Sequence, residues 1–176
     1  MVLTQEMEKS LWQGEGEHAR RVLFVCTGNT CRSPMAAALL NDMTRERGAC
    51  SLGESSDCVQ ICAASAGLYA MDGAPISHEA VVALREAGVA PVPGNDYTAH
   101  TAATVTEQMM REASEVVAIS ASHAMELVMR FPEHVSKITT LSRDIPDPYG
   151  RGGAAYRECL ATLIDCIRQR YFGGEV

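Results

Sequence analysis

Residues 21–34 read RVLFVCTGNTCRSP, and this segment decides the fold. Its first five residues form a β-branched and aromatic run that predicts a buried strand. The strand is expected to end at Cys26, where a short loop of turn-forming residues follows. Ser33 and Pro34 then predict the start of a helix, because proline is favoured in the first helical turn. The segment therefore predicts a strand, a tight loop and a helix in immediate succession.

The rest of the chain continues this alternation of strands and helices. Apolar runs predict strands at 59–66, 115–119 and 137–141, and other segments predict helices at 35–47, 78–86, 104–112, 122–130 and 154–172. Ser77 is expected to cap the helix at 78–86. The alternation predicts an α/β fold, a three-layer α/β/α arrangement around a central four-stranded parallel sheet. Such sheets bind ligands beyond the carboxyl ends of their strands, where Cys26 is expected to lie.

The length of 176 residues suits one domain. We predict a single domain over residues 21–176, preceded by a polar N-terminal arm over residues 1–20 that is expected to be flexible. A second polar stretch at 48–58 is expected to connect the first helix to the second strand. No internal repeat or linker divides the chain, which fits one domain, and we expect the protein to be a monomer.

Charge and cysteine usage narrow the partners and the compartment. A net charge of −7 is not typical of nucleic-acid-binding proteins, which usually present a basic face. The seven cysteines are odd in number and irregularly spaced, so we expect free thiols in a reducing compartment. The N-terminal residues lack the apolar core of a secretory signal, and no run reaches the ~18 apolar residues of a membrane span. We therefore expect a cytoplasmic protein that binds neither nucleic acid nor membranes.

The loop after the first strand has the chemistry of an anion-binding site. Backbone N–H groups between a strand and a helix converge on one point, and the helix dipole adds positive charge there. These groups and Arg32 would favour the thiolate of Cys26, and the Arg32 fork can hold two phosphate oxygens. Because the loop has no lysine to reach a second phosphate, a monophosphate is a better ligand than a nucleotide. The residues predicted to bind phosphate are Thr27, Gly28, Asn29, Thr30, Cys31, Arg32 and Ser33.

This loop and a motif near the C-terminus resemble the low-molecular-weight protein tyrosine phosphatase family. The resemblance covers about residues 21–172 and rests on VCTGNTCRSP at 25–34, SAG at 65–67 and DPY at 147–149. It implies the family's fold and a phosphatase in which Cys26 attacks phosphorus, Arg32 binds the phosphate, and Asp147 acts as general acid and then as base. Asp144 competes for the last role but lacks the following Pro-Tyr. The resemblance implies phosphorylated protein substrates and no metal or other cofactor.

The resemblance also implies roles for residues around the loop. His100 lies where the family keeps a histidine that supports the loop asparagine, here Asn29. Ser33 can donate to the thiolate and stabilise it as a leaving group. Tyr69 and Tyr149 are expected to form the walls of the substrate cleft, since aromatic walls favour a flat side chain.

Thr30 bears on the choice of substrate. Most tyrosine phosphatases of the family resemble one another in an aliphatic residue here, whereas a branch acting on phosphoarginine in bacterial proteins resembles this chain in having threonine. An aliphatic side chain packs against a phenyl ring, while a hydroxyl can hydrogen-bond near a guanidinium or orient the attacking water. We therefore expect a protein-arginine phosphatase, with a protein tyrosine phosphatase as the alternative.

Three other interpretations use the same residues differently. Arsenate reductases share the fold but need resolving cysteines downstream of the nucleophile, and none occurs between Cys62 and Cys159. A phosphopeptide-binding module without activity would lack the nucleophile or the acid, and both are present. A zinc site at Cys50, Cys58 and Cys62 lacks the Cys-x2-Cys spacing of such sites.

Cys31 suggests a redox role. It lies five positions after Cys26 in the same loop. Under oxidation it could capture a sulfenic acid at Cys26 as a disulfide and protect it from irreversible damage. The alternative is a cysteine that only packs the loop.

Overall fold

The computed structural model describes residues 11–12, 19–50 and 60–173, with the side chains of all of these except residues 47–50. The strands are β1 (Arg20–Cys26), β2 (Ile61–Gly67), β3 (Glu115–Ala118) and β4 (Ile138–Thr140). The α-helices are α1 (Arg32–Cys50), α2 (His78–Glu86), α3 (Glu107–Glu112), α4 (Ala121–Arg130) and α5 (Gly152–Phe172), and short 3₁₀ helices cover Tyr97–Ala99 and Pro132–Lys137. No helix in this part of the chain combines the length and apolar character needed to cross a membrane.

The four strands form one parallel sheet, as predicted, and their order in it is β2-β1-β3-β4. β1 is central, and its successive side chains point to opposite faces of the sheet. Val22 and Phe24 pack with α1, α2 and α5, whereas Leu23 and Val25 pack with α3 and α4. Helices therefore cover both faces of the sheet, which confirms the three-layer α/β/α arrangement.

α1 and α3 are the helices whose bounds differ most from the prediction. α1 continues to Cys50, so the predicted connection at 48–58 begins inside a helix, and its remaining residues lie outside the described ones. α3 begins at Glu107 rather than at residue 104. The reason is that the hydroxyl of Thr106 accepts a hydrogen bond from the N–H of Met109 at 3.3 Å and caps the helix there.

Ser77 occupies the N-cap position of α2 without a side-chain cap, which corrects the prediction for this residue. Its hydroxyl contacts the Sγ of Cys31 at 3.4 Å, and its N–H donates to the carbonyl of Thr30 at 2.9 Å. The start of α2 is therefore tied to the loop that follows β1.

The stretch before β1 is described only in part. The arm predicted over residues 1–20 lies mostly outside the described residues, and its flexibility stays a prediction. Trp12 is described, is 4 % exposed, and packs in the cluster that contains Leu23 and Val25. Arg20 already belongs to β1, where it pairs with β2.

The carboxyl ends of β1 and β2 approach closely because β2 ends in a glycine. The N–H groups of Leu68 and Tyr69 donate to the carbonyls of Cys26 and Thr27, each at 2.9 Å. A Cβ on Gly67 would lie 2.7 Å from the carbonyl oxygen of Thr27, a distance that real Cβ atoms do not tolerate. This approach positions the loop after β1 against the chain that follows β2.

Candidate active site

The segment from Cys26 to Ser33 joins the end of β1 to the start of α1. Cys26 is the last residue of β1 and is 2 % exposed. Asn29 has a φ of 56°, in the left-handed region that asparagine tolerates better than most residues. α1 begins at Arg32, so the unpaired N–H groups and the positive end of its dipole lie at this segment. The segment therefore offers backbone donors to an anion bound at Cys26.

The hydroxyl of Ser33 lies 3.0 Å from the Sγ of Cys26. The amide of Asn29 donates to the same hydroxyl oxygen at 3.0 Å. Ser33 lies 3.3 Å from the carbonyl of Ala66, the other possible acceptor for its proton. Because a thiolate is a stronger acceptor than a neutral carbonyl, Ser33 can donate to Cys26 whenever its sulfur is ionised.

Asn29 connects this loop to the neighbouring segments. Its Nδ2 also donates to the hydroxyl of Ser65 at 2.9 Å, and its Oδ1 accepts from the N–H of Ala103 at 2.9 Å. His100 Nε2 lies 2.8 Å from the Asn29 carbonyl oxygen, and since a carbonyl only accepts, this nitrogen carries the proton. Burial lowers the pKa of His100, which favours its neutral form. The structure thus brings His100 to Asn29 through the main chain of the loop.

Arg32 is buried beside the loop, and three groups fix its guanidinium. Nη1 donates to the carbonyl of Ile145 at 3.3 Å, and Nη2 donates to Oδ2 of Asp147 at 2.8 Å. Nη2 also lies 3.5 Å from the hydroxyl of Thr27. The predicted phosphate-binding residue and the predicted general acid are therefore in direct contact.

Asp144, the competitor for the acid role, lies elsewhere. Its Oδ1 accepts a hydrogen bond from the N–H of Ala121 at 2.9 Å, at the start of α4. Asp147 lines the cleft with Cys26, and Asp144 is not among its lining residues.

The loop opens into a cleft of about 880 Å³. Tyr69 and Tyr149 line it and are 63 % and 73 % exposed. Tyr69 is held by α4, because its hydroxyl donates to Glu126 and its ring lies 4.4 Å from the guanidinium carbon of Arg130. The structure brings the predicted loop and wall residues to this one cleft, which is lined by Cys26, Thr27, Gly28, Asn29, Thr30, Cys31, Arg32, Tyr69, Asp147 and Tyr149 among others.

The second loop cysteine packs beside the cleft. The Sγ of Cys31 lies 3.1 Å from the hydroxyl of Tyr156, in addition to its contact with Ser77. The residue is buried, and its sulfur is a free thiol. Tyr156 belongs to α5, so its contact with Cys31 joins that helix to the loop.

His123 is the main site residue that the sequence analysis missed. Its Nε2 lies 2.9 Å from the Thr27 hydroxyl, and its Nδ1 lies 2.7 Å from the hydroxyl of Ser120. Burial and the Arg32 guanidinium lower the pKa of His123. The available signal was the spacing Ser-x-x-His directly after β3, at the edge of the sheet where Cys26 lies.

Possible metal ligands lie outside the cleft. In the described part of the chain, one group of three is found, Glu107, Glu133 and His134, with His134 Nε2 hydrogen-bonded to Glu107 at 2.7 Å. Of the cysteines considered for zinc, Cys62 is buried in the apolar cluster that contains Leu23. The side chains of the other two lie outside the described residues.

Known proteins resemble this chain over most of its length. A model of the family described as low molecular weight phosphotyrosine protein phosphatase matches residues 21–171. The chain is 35 % identical to a protein-arginine-phosphatase of Geobacillus stearothermophilus, over 85 % of this chain and 95 % of that protein. It is 30 % identical to a protein-arginine-phosphatase of Bacillus subtilis, over 84 % of this chain and 92 % of that protein. A crystal structure of a low molecular weight protein tyrosine phosphatase from T. tengcongensis is similar with a TM-score of 0.73 and 36 % identity, over 86 % of this chain and 97 % of that one.

Proposed function

The chain belongs to the low molecular weight phosphotyrosine protein phosphatase family, and on this basis we propose that it is a protein-arginine phosphatase with Cys26 as its nucleophile. The observation that carries the proposal is that Cys26, Arg32 and Asp147 line one cleft together with Thr30. Two relatives that are at least 30 % identical to the chain are named for action on protein arginine.

In the first step, the Cys26 thiolate attacks the phosphorus of phosphoarginine, so that a P–S bond forms while the P–N bond breaks. Arg32 and the loop N–H groups hold the phosphoryl oxygens, where negative charge is concentrated. Protonated Asp147 donates its proton to the leaving guanidine nitrogen. The 2.8 Å contact between Arg32 and Asp147 supports these roles, since it places the acid beside the group that holds the phosphate.

In the second step, water attacks the phosphorus of the cysteinyl-phosphate. The Asp147 carboxylate takes a proton from this water, and the P–S bond breaks to release inorganic phosphate. The Cys26 thiolate is the leaving group, and the Ser33 hydroxyl at 3.0 Å donates to it as its charge develops. Thiolate, guanidinium and carboxylate supply the chemistry of both steps.

The preference for arginine rests on Thr30. Its side chain is part-buried and lines the cleft, and its main chain is fixed by the N–H of Ser77 at 2.9 Å. A hydroxyl here can hydrogen-bond near a planar guanidinium or orient the attacking water, and Asp147 can pair with the same guanidinium. An aliphatic residue would instead favour a phenyl ring. A protein tyrosine phosphatase of the same family is the second candidate, because the exposed rings of Tyr69 and Tyr149 suit either flat side chain.

The test is hydrolysis of two peptides of identical sequence that differ only in phosphoarginine or phosphotyrosine. We expect wild type to prefer phosphoarginine and Thr30→Ile to shift the ratio of kcat/KM values toward phosphotyrosine. Thr30→Val keeps the shape of threonine without its hydroxyl, so it separates hydrogen bonding from packing. A wild-type preference for phosphotyrosine that Thr30→Ile leaves unchanged would refute arginine specificity.

Cys26→Ser is the control for the mechanism. It should abolish turnover of both peptides and of a generic aryl phosphate, because serine is a far weaker nucleophile without a general base. Wild type that binds phosphopeptides without hydrolysing them would be a binding module instead. Thioredoxin oxidation that depends on arsenate would indicate an arsenate reductase.

We also propose the setting in which the enzyme acts. Its substrates are phosphorylated proteins, whose phosphorylated side chains would enter the open cleft. Cys26, Cys31, Cys159 and Cys166 are free thiols, which supports a reducing compartment such as the cytoplasm. Size-exclusion chromatography with light scattering tests the expectation of a monomer.

A further inference from the structure

A chain of three side chains leads from α4 into the cleft. The hydroxyl of Ser120 lies 2.7 Å from Nδ1 of His123, and Nε2 of the same ring lies 2.9 Å from the hydroxyl of Thr27. Ser120 and His123 are buried, whereas Thr27 is exposed and lines the cleft. Thr27 follows the nucleophile directly and lies 3.5 Å from Nη2 of Arg32. Its hydroxyl is therefore beside the place where a phosphoryl oxygen held by Arg32 would be.

The number of protons and lone pairs on these groups limits which hydrogen bonds the Thr27 hydroxyl can form. A threonine hydroxyl has one proton to donate and two lone pairs that accept. Arg32 can only donate to it, and a protonated Nε2 of His123 donates to it as well. Both lone pairs of Thr27 are then used, and its own proton is left for an acceptor in the cleft. A neutral ring in this tautomer has an unprotonated Nδ1, which accepts the proton of Ser120.

We propose that His123 is a positioning residue that turns the Thr27 hydroxyl so that it donates to a phosphoryl oxygen of the substrate. The inference rests on the proposed function, because it concerns the phosphate held at the same site. Thr27 thereby adds a side-chain donor to the backbone N–H groups and Arg32. Ser120 supports this tautomer through the ring, since its hydroxyl can donate to an unprotonated Nδ1 while it accepts from the hydroxyl of Ser122 at 2.9 Å.

The surrounding charges are consistent with a neutral ring. Burial and the positive charge of Arg32 lower the pKa of His123, against the opposing effects of Asp147, Glu126 and Asp144. A hydroxyl donor beside Arg32 is also favoured over a hydroxyl acceptor, because the group that enters the cleft is an anion.

The first measurement is the tautomer of His123 in the whole chain, read from ¹⁵N chemical shifts of the labelled imidazole. We expect the proton on Nε2. A proton on Nδ1 would overturn the proposal, because Thr27 would then donate to the ring rather than into the cleft. His134 gives an internal comparison, since it lies outside the cleft and bonds to Glu107.

The second measurement is the affinity for inorganic phosphate, by calorimetry. Thr27→Val should weaken binding about tenfold, the size expected for a hydrogen bond to a charged group, and Thr27→Ser should restore it. His123→Asn lacks a donor at the position of Nε2 and should weaken binding about threefold, whereas His123→Gln reaches that position and should restore it. In Thr27→Val, adding His123→Asn should have no further effect, because the ring acts only through this hydroxyl. His134→Gln is the matched control and should bind phosphate like wild type.

Two results would refute this role of His123. One is unchanged phosphate affinity in Thr27→Val with wild-type thermal stability. The other is additivity of Thr27→Val and His123→Asn, which a merely structural role of the histidine would produce. Phosphate binding is measured without turnover, so a chain that shows the predicted coupling but hydrolyses no phosphopeptide would support the positioning role and refute the phosphatase function alone.

Discussion

Arg32 and Asp147 are 115 positions apart in the chain, yet Nη2 of the arginine donates to Oδ2 of the aspartate at 2.8 Å. The arginine side chain is 9 % exposed and the aspartate side chain 51 %. An ion pair with a half-exposed carboxylate contributes about 1 kcal/mol or less, because water screens it. A dianionic phosphate can therefore take over the guanidinium at small cost while Asp147 stays close to the leaving group.

This geometry predicts that Asp147 and Asp144, the two aspartates of the loop before α5, differ in how strongly their substitution lowers kcat. Asp147→Asn should lower kcat for a phosphopeptide about 100-fold or more, because an amide cannot protonate the leaving nitrogen. The loss should be smaller for an aryl phosphate whose leaving group needs no proton. Steady-state kinetics with both substrates measure the difference.

Asp144→Asn is the matched control. Its carboxylate accepts from the first N–H of α4, so the substitution should cost about 0.5–1 kcal/mol of stability and leave kcat close to wild type. Equal losses of kcat in the two variants would contradict the assignment of Asp147 as the acid.

Because β2 approaches the loop closely at Gly67, we predict that replacing this glycine with alanine lowers both stability and activity. An added Cβ would meet the carbonyl oxygen of Thr27 at 2.7 Å, and this oxygen belongs to the residue after the nucleophile. We expect Gly67→Ala to destabilise the protein by about 1–3 kcal/mol, as overpacking does, and to lower kcat by moving the loop. Chemical denaturation and aryl phosphate turnover measure the two effects.

Gly153→Ala is the comparison for Gly67→Ala. Gly153 lies in the first turn of α5, and a Cβ there would meet its nearest neighbour, on Arg157, at an ordinary 3.6 Å. The change should stabilise the protein by about 0.5 kcal/mol, because alanine loses less backbone entropy in a helix. A destabilisation equal to that of Gly67→Ala would show that the contact with Thr27 is not the cause.

The segment 21–34 could be predicted well because its strand, loop and helix are contiguous, so local preferences decide them. The position of Arg32 beside Cys26 follows from their placement in one loop. The parallel sheet follows from the alternation of elements. The role of Asp147 in the site could be predicted only from the family resemblance. Its contact with Arg32 depends on the strand order β2-β1-β3-β4, which hydrophobic periodicity does not encode.

Contacts between neighbouring loops were the least predictable part of the site. Ser120 and His123 have the spacing of an ordinary helix cap, and Ser120 also accepts from the N–H of His123 at 3.4 Å. The ring reaches Thr27 because β3 pairs with β1, which brings the start of α4 beside the loop. Local sequence likewise predicts a helix cap at Ser77, because its actual contact with Cys31 depends on packing between elements that lie far apart in the chain.

A part-buried histidine, His100, and a buried one, His123, predict how stability depends on pH. Burial lowers the pKa of both His100 and His123 below the ordinary 6.5, and Arg32 adds to the effect on His123. Below about pH 6.5 the unfolded chain then binds more protons than the folded one, so the free energy of unfolding falls as the pH falls through the lowered folded values. Well above pH 6.5 both histidines are neutral in the folded and the unfolded chain, and their full contribution to the free energy of unfolding is present. Urea denaturation at a series of pH values measures the slope.

His100→Gln isolates one of these groups. A glutamine amide can still donate to the carbonyl of Asn29 but does not titrate, so the variant should lose less stability on acidification than wild type. Identical slopes for the two proteins would show that His100 is not a source of the pH dependence.

The two loop cysteines predict a reversible response to oxidation. Cys26 and Cys31 both line the cleft, and Cys31 is a free thiol in contact with Tyr156. Cys159 is the neighbouring thiol, but burial raises its pKa to about 12, so it supplies little thiolate.

Mild peroxide should convert the Cys26 thiolate to a sulfenic acid, which the thiol of Cys31 then attacks, forming a Cys26–Cys31 disulfide and releasing water. Wild type should therefore lose activity and regain it with dithiothreitol. Cys31→Ser should lose activity irreversibly, because its Cys26 continues to the sulfinic and sulfonic acids. Cys159→Ser should behave like wild type, since Cys159, unlike Cys26 and Cys31, does not line the cleft. Mass spectrometry of peroxide-treated protein identifies the products, and over-oxidised Cys26 in wild type without a disulfide to Cys31 would exclude this protection.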